Sequence, residues 1–158
     1  MSYVSIHAHS FFSLLDGVAS PQQITSKAKK LGHKAVALTE HGNLHSYLDF
    51  YKSAKNKGIK PIIGLEAYEV DDMYKKNNKN RQKRFHLIIL AKNKEGLKNL
   101  FKIVTKSNTE GFYYKPRIDF NLLKEHSEGL IISSACMQGR VPYNLRNDKY
   151  EKAKEIAL

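Results

Sequence analysis

"KAVALTEHGN", residues 34–43, contains a short apolar run that is followed by a glutamate, a histidine, a glycine and an asparagine. The chain holds four apolar runs of this kind, and none of them alternates polar and apolar residues. Continuous apolar runs are typical of parallel strands covered on both faces. A further strand is predicted near the start of the chain, ending at "HAH", residues 7–9. The other runs, rich in Val, Ile and Leu, are KPIIGLEAY (60–68), FHLIILA (85–91) and GLIISSA (129–135).

Helical patterns lie between these runs. Ser20 and Pro21 are typical of an N-cap and a first helical residue, and Gly32 can end that helix. Apolar stripes at helical spacing run over residues 47–54 and 97–104. The alternation predicts an α/β fold of repeated βα units, which build a parallel sheet or a barrel.

Composition excludes several classes of protein. The chain has 158 residues, which is one domain or a piece of one, and no apolar run approaches the roughly 18 residues that span a bilayer, so we expect no membrane partner. Its start has no signal-peptide pattern, and its single cysteine, Cys136, excludes an internal disulfide and favours the reducing cytoplasm. The net charge of +12 favours acidic partners, above all phosphate backbones.

Much of this charge lies in "YKKNNKNRQKR", residues 74–84, which holds six Lys or Arg and no acid. Because like charges repel and bury no apolar surface, the stretch predicts an exposed loop between the third and fourth strands. Two interpretations remain open, a solvated connector and a loop that contacts phosphates.

Polar side chains follow the ends of successive predicted strands. Because the carboxyl ends of parallel strands meet at one edge, we expect these side chains to lie close together. Imidazole, carboxylate and thiolate groups together suit Zn²⁺ or Mn²⁺. His86 instead starts its run, and the pattern alone favours a partly buried strand histidine. The residues at the strand ends are His7, His9, Glu40, His41, Glu66 and Cys136.

The chain resembles the polymerase and histidinol phosphatase (PHP) family, in the form found at the N-terminus of the bacterial DNA polymerase III alpha subunit. The matching stretches, in the family's order, are HAHSFFSLLDG, ALTEHGNL, FYKSAKNKGIKPIIGLEAY, HLIILAKNKEGLKNL, GFYYKPRIDFNLL and EGLIISSACMQGRVP. The resemblance implies a distorted (βα)₇ barrel with up to three divalent ions (Zn, Mn or Mg) at the C-terminal rim. It implies no catalytic residue beyond the metal ligands, which are His7, His9, Asp16, His41, Glu66, His86 and Cys136.

The sequence departs from the family at two points. Glu40 stands where the family usually has aspartate, and the family's closing Asp and His on a later strand lie beyond Leu158. The last stretch, "NDKYEKAKEIAL", is a helical pattern without a terminating Gly or Pro. We therefore expect residues 1–158 to be a PHP domain cut before its last strands. Such an incomplete barrel would hold about five parallel strands with flanking helices, and the polymerase palm, fingers and thumb lie outside the chain.

The resemblance implies a parent chain that is a DNA-directed DNA polymerase, a nucleotidyltransferase of the cytoplasm whose partners are DNA and the other holoenzyme subunits. The ligand set predicts a metal-dependent phosphoesterase of 3′–5′ exonuclease type, weak or inactive in this fragment. Two alternatives remain. One is a structural or docking module that stabilises the polymerase or binds a proofreading subunit, and the other is a free-standing phosphatase of small esters.

Overall fold

The computed structural model describes residues 3–77 and 82–158. Helices flank a single sheet, so the predicted α/β class is confirmed. Among the described residues, no helix combines the length and the apolar composition that crossing a bilayer requires. In chain order the elements are α1 (Pro21–Lys30), β1 (Ala35–His41), α2 (Tyr47–Asn56), β2 (Lys60–Glu69), β3 (Phe85–Ala91), α3 (Lys94–Thr109), β4 (Arg117–Ile118), α4 (Phe120–Glu125), β5 (Leu130–Ser134), α5 (Arg140–Arg146) and α6 (Tyr150–Ala157).

The sheet is mixed. Its order is β1-β2-β3-β5, and the short β4 pairs with β2. β2 is parallel to β1 and β4, whereas β3 is antiparallel to both β2 and β5. The prediction of parallel strands throughout is therefore wrong for β3. A parallel neighbour needs a crossover connection, usually a helix, and the described residues between β2 and β3 form none, so the chain turns back instead.

The reversal of β3 decides where its first residues lie. The start of an antiparallel strand lies beside the end of its partner, and His86 accordingly faces Tyr68 near the end of β2. β5 is antiparallel to β3 and so runs in the same direction as β2, which brings Cys136 to the same edge of the sheet. One edge thus receives the ends of β1, β2 and β5 and the start of β3.

The predicted N-terminal strand is only an extended segment. Beside β1, Ala37 donates its N–H to the Ser5 carbonyl (2.8 Å) and Thr39 donates its N–H to the Ala8 carbonyl (2.9 Å). The Ala8 N–H donates instead to a side chain, the Thr39 hydroxyl, at 3.2 Å. The segment follows β1 without a regular ladder, because a side chain replaces one of the backbone partners.

The helices and loops largely follow the sequence pattern. α1 begins with a capping box between Ser20 and Gln23, and α6 forms in the predicted last helix. The basic stretch forms neither helix nor strand at residues 74–77 and 82–84, as predicted, and residues 78–81 lie outside the described residues. Buried side chains of α2, α3 and the sheet form the core that fixes the strand ends, among them Phe50, Leu65, Ile89, Leu100 and Ile103.

Candidate metal centre

A cleft of about 540 Å³ opens at the edge where these strand ends meet. All seven predicted ligand residues line it, although they come from distant parts of the chain. Their convergence agrees with the strand-end argument, while their role as ligands stays a prediction. The lining consists of His7, His9, Leu15, Asp16, His41, Glu66, His86, Cys136 and Gln138.

Glu66 lies at the centre of the cleft, with only 1% of the residue exposed. Its Oε2 atom is 3.2 Å from His7 Nε2, 2.9 Å from His9 Nε2 and 3.0 Å from His41 Nδ1. Its Oε1 atom is 2.9 Å from His86 Nδ1. Four imidazoles therefore converge on one buried carboxylate.

Asp16 and Cys136 lie at the two sides of this group. Asp16 Oδ2 is 2.9 Å from His41 Nε2 and 3.8 Å from His9 Nε2. Cys136 Sγ is 3.6 Å from His86 Nδ1 and 3.9 Å from Glu66 Oε1. The exposed Asp16 carboxylate beside His41 and the cysteine thiol beside His86 thus extend the set of possible ligand atoms.

The spacing of these atoms fits bound cations. Ligand atoms held by one ion at about 2.0 to 2.2 Å lie about 2.8 to 3.6 Å apart in tetrahedral or octahedral geometry. His7 Nε2 and His9 Nε2 are 3.0 Å apart, and Glu66 Oε2 is buried without a well-directed hydrogen bond. Three trios of possible ligands, which share members, each have their ligand atoms within 4.8 Å: His7, His9 and Glu66; His9, Asp16 and His41; His41, Glu66 and His86.

The electrostatics of the cleft keep Glu66 ionised. Burial raises its pKa, but the four imidazole nitrogens that lie 2.9 to 3.2 Å from its two oxygens outweigh burial and hold the pKa far below the usual range. Burial lowers the pKa of His41, yet Glu66 and then Asp16 raise it further, so the net shift is upward. The cleft thus concentrates negative charge that a proton or a metal ion can neutralise.

Glu40 lies beside the cleft but serves a different purpose. It is buried and accepts hydrogen bonds from the Ser10 N–H (3.2 Å), the Ser10 hydroxyl and the Ser13 hydroxyl. The Ser13 hydroxyl also accepts from the His41 N–H at 3.0 Å and lies 3.2 Å from His9 Nδ1. Through these bonds Glu40 holds the turn at residues 10–13.

Sequence reasoning missed three kinds of contributor. It did not assign Ser10 and Ser13, although two serines three residues apart after the histidine pair could have signalled a turn. It also missed Gln138, whose carbonyl accepts from the His86 N–H at 3.1 Å, and Leu15, whose φ of +67° is unusual for a branched side chain. Nothing in the residue types of Leu15 and Gln138 marks them as lining a polar cleft.

Known proteins place the chain in a family. The model of the PHP domain matches residues 5–158. DNA polymerase III subunit alpha of Borreliella burgdorferi is 49% identical over 99% of this chain, and that of Aquifex aeolicus is 45% identical over 97%. A solved structure from Bifidobacterium adolescentis, described as a metal-dependent phosphoesterase, overlaps 65% of this chain and 33% of its own length at 21% identity and a TM-score of 0.47. The chain spans about 14% of the length of the polymerase relatives. With nearly its whole length matched, the chain belongs to the PHP domain family.

Proposed function

We propose that the chain is a metal-dependent phosphoesterase module of the alpha subunit of a replicative DNA polymerase, acting on phosphodiesters in the manner of a 3′–5′ exonuclease. The observation that carries this proposal is the buried Glu66 carboxylate, on which four histidine side chains converge. The polymerase relatives support the assignment to a polymerase alpha subunit, since each of them aligns with almost all of this chain. DNA synthesis and the holoenzyme partners belong to that longer protein.

The side chains of the cleft would have different roles in holding the ions. Glu66, the most buried member, would bridge ions, and His7, His9, His41 and His86 would hold them from four sides, with Asp16 and Cys136 as outer ligands. Bound divalent ions supply two things, a water with a lowered pKa and positive charge opposite the phosphate oxygens. The chain's own contribution is orientation, because Glu40 and Ser13 fix the turn beside His9.

A docking role is the second candidate, and one surface favours it. Leu14, Leu15 and Val18 are 84%, 108% and 93% exposed on the loop beside the cleft. Exposed apolar side chains grouped at one place are typical of contact surfaces. This loop would then contact another part of the polymerase or a proofreading subunit, whether or not the ions are catalytic. Nothing in the cleft favours the third interpretation, a free-standing phosphatase of small esters.

The test measures hydrolysis and metal content together. The chain is loaded with Mn²⁺ or Zn²⁺, dialysed, and assayed on 5′-labelled single-stranded DNA. The His9→Ala variant should lose bound metal and activity, because it removes an atom shared by two ligand trios. The His33→Ala variant is the matched control, since His33 precedes β1 at the opposite end of the strand. Equal activity in both variants would contradict the proposal.

The domain boundary is tested in the same assay. We propose that later strands of a longer chain add ligands to this cleft, so that the 158-residue chain holds its ions less tightly. Loss of supporting groups around a metal typically weakens binding by about 10- to 100-fold. A protein extended beyond Leu158 should therefore retain more metal after dialysis and turn over faster. Equal turnover per molecule would show that the seven residues suffice.

A further inference from the structure

A second pocket of about 410 Å³ adjoins the metal-ligand cleft. His86 and Gln138 line both cavities, so the two share a wall. The remaining wall of the second pocket comes from the end of β2 and the residues just before β3, namely Tyr68, Gln82, Lys83 and Arg84. We name this cavity, lined by these six residues, the basic pocket.

We propose that the basic pocket binds a phosphate group of an oligonucleotide, next to the phosphate that occupies the metal-ligand cleft. This inference rests on the proposed function and adds a second phosphate subsite, which a nucleic-acid strand can use and an ester with a single phosphate cannot. A small ester has a single phosphate and can fill only one of the two cavities. A strand has successive phosphates, so it gains affinity from both.

The charge around the basic pocket supports an anionic ligand. Lys83 and Arg84 contribute positive charge, and the lining, all of which the structure describes, includes no carboxylate. Lys115 adds a third cation, with its Nζ atom 5.6 Å from the centre of the Tyr68 ring. Positive side chains grouped in this way attract phosphate oxygens from solution.

A buried cation lies close behind these side chains. Arg117 is 3% exposed, and its guanidinium donates to the carbonyls of Met73, Lys75 and Gly111. Burial and then the charge of Arg84 lower the pKa of Arg117, whereas Tyr113 and then Asp72 raise it. Arg117 is paired with Tyr68 across β4 and β2, so this cation lies beside one wall of the basic pocket.

Lys83 is positioned by aromatic rings. Its Nζ atom lies 3.3 Å from the centre of the Tyr143 ring and 5.8 Å from that of Phe85. None of the carboxylates that the structure describes forms an ion pair with Lys83, in contrast to Arg140, which pairs with Glu69 and Asp71 on the same part of the sheet. Aromatic faces hold an ammonium group while leaving its N–H donors able to reach a phosphate.

The test measures binding without hydrolysis. The probe is hexathymidylate carrying a 5′ fluorescein, followed by fluorescence anisotropy in EDTA over a range of salt concentrations. The Lys83→Ala/Arg84→Ala variant should bind about tenfold more weakly at low salt. Two lost phosphate contacts should also make the slope of log K against log salt shallower by about 1.4, at about 0.7 per contact with a single strand.

Two further variants separate charge from folding. Lys29→Ala/Lys30→Ala removes the same charge from the last turn of α1, which precedes the start of β1, and should bind within twofold of the unchanged chain. Lys83→Arg/Arg84→Lys keeps both cations and should bind within threefold. A methylphosphonate hexathymidylate, which lacks backbone charge, should bind all four proteins equally weakly.

Two results would overturn the inference. The first is equal binding by the Lys83→Ala/Arg84→Ala variant and the Lys29→Ala/Lys30→Ala control. The second is a loss of affinity in the charge-conserving Lys83→Arg/Arg84→Lys variant as large as the loss in the Lys83→Ala/Arg84→Ala variant. If the double alanine variant loses its circular dichroism signal, Arg84→Gln alone replaces it, with an expected loss of about threefold. Because EDTA removes the ions, the result does not depend on hydrolysis, and a failure of the proposed function would appear only in the loaded protein.

Discussion

Two glutamates lie on neighbouring strands at the same edge of the sheet. Serine hydroxyl and backbone N–H donors surround one of them, and histidine side chains surround the other. Glu40 and Glu66 are each 1% exposed, and their strands β1 and β2 run side by side in parallel. Glu40 accepts from hydroxyl and N–H donors of Ser10 and Ser13. Glu66 instead meets imidazole nitrogens, and its Oε2 atom has no well-directed hydrogen bond.

The difference shows that burial alone does not identify a metal ligand. A buried carboxylate costs free energy unless donors or cations compensate its charge. For Glu40 the protein supplies the donors itself, so the residue holds a turn. For Glu66 the partners are imidazoles, each of which presents either an N–H donor or a lone pair, so added protons or cations change how the carboxylate charge is compensated.

The largest difference between the two glutamates should appear in metal binding when each is replaced by glutamine. Glu66→Gln removes the charge that would bridge ions, and Mn²⁺ or Zn²⁺ binding should weaken by about 1,000-fold, equivalent to about 4 kcal/mol. Glu40→Gln retains an acceptor for the serine hydroxyls and should bind ions within tenfold of the unchanged chain. Isothermal titration and metal analysis after dialysis measure both. Similar metal content in the two variants would contradict the division of roles.

The second prediction concerns stability without ions. Glu40→Ala leaves the Ser10 N–H and two hydroxyl groups without their acceptor, which should lower the free energy of unfolding by about 3 kcal/mol. Urea unfolding in EDTA measures the loss. Glu40→Asp is the control, since it keeps the charge with one methylene less and should lose about 1 kcal/mol. If the alanine variant lost no more than the aspartate variant, the carboxylate would not be holding the turn.

The third prediction concerns pH. In the ion-free protein the pKa of Glu66 is lowered from 4.5, so its contribution to stability is present above pH 4.5 and is lost as pH falls through the folded-state pKa. The pKa of His41 is raised from 6.5, so its contribution is full below pH 6.5 and is lost as pH rises through the folded-state pKa. Together they stabilise the ion-free protein most between about pH 4.5 and 6.5.

Ion binding should show the opposite pH dependence, because a histidine must be neutral to bind a metal. Below the pKa of His41, affinity for Mn²⁺ should fall about tenfold per pH unit for each proton displaced, or about 1.4 kcal/mol. Unfolding with and without EDTA from pH 5 to 8 measures both trends. His41→Asn should remove the loss of stability that the ion-free protein shows above pH 6.5, and an unchanged profile in that variant would contradict the assignment.

The smallest effect should come from the loop between Ser13 and Asp16. Leu15 has a φ of +67°, which asparagine adopts more readily than leucine, and its exposed side chain has no packing to lose. Leu15→Asn should raise the free energy of unfolding by about 0.5 kcal/mol, measured by the urea midpoint. Leu14→Asn is the matched control, because Leu14 is also exposed but has no positive φ, and it should change little. Equal shifts in both variants would show that the backbone at Leu15 is not strained.

The sequence predicted the helices α1, α2, α3 and α6 and the edge at which the polar residues meet, because apolar spacing indicates the buried face of a helix or strand. It did not predict the short helices α4 and α5. It could not give the direction of β3, since a run such as FHLIILA reads as a buried strand whichever way it points. That is why His86 looked misplaced from the pattern alone, and only the family resemblance included it. The role of Glu40 also required the structure, because its partners Ser10 and Ser13 lie about 30 residues away.

The cleft residues lie far apart along the chain, so an ion bound to them would also restrict the unfolded chain. A single ion held by His41, Glu66 and His86 would join three distant points and so act as a removable cross-link. Cross-links of this kind destabilise the unfolded chain by restricting its loops, and a disulfide contributes about 2 to 4 kcal/mol in this way. Since this chain has one cysteine and forms no internal disulfide, a metal ion would be its means of closing such loops.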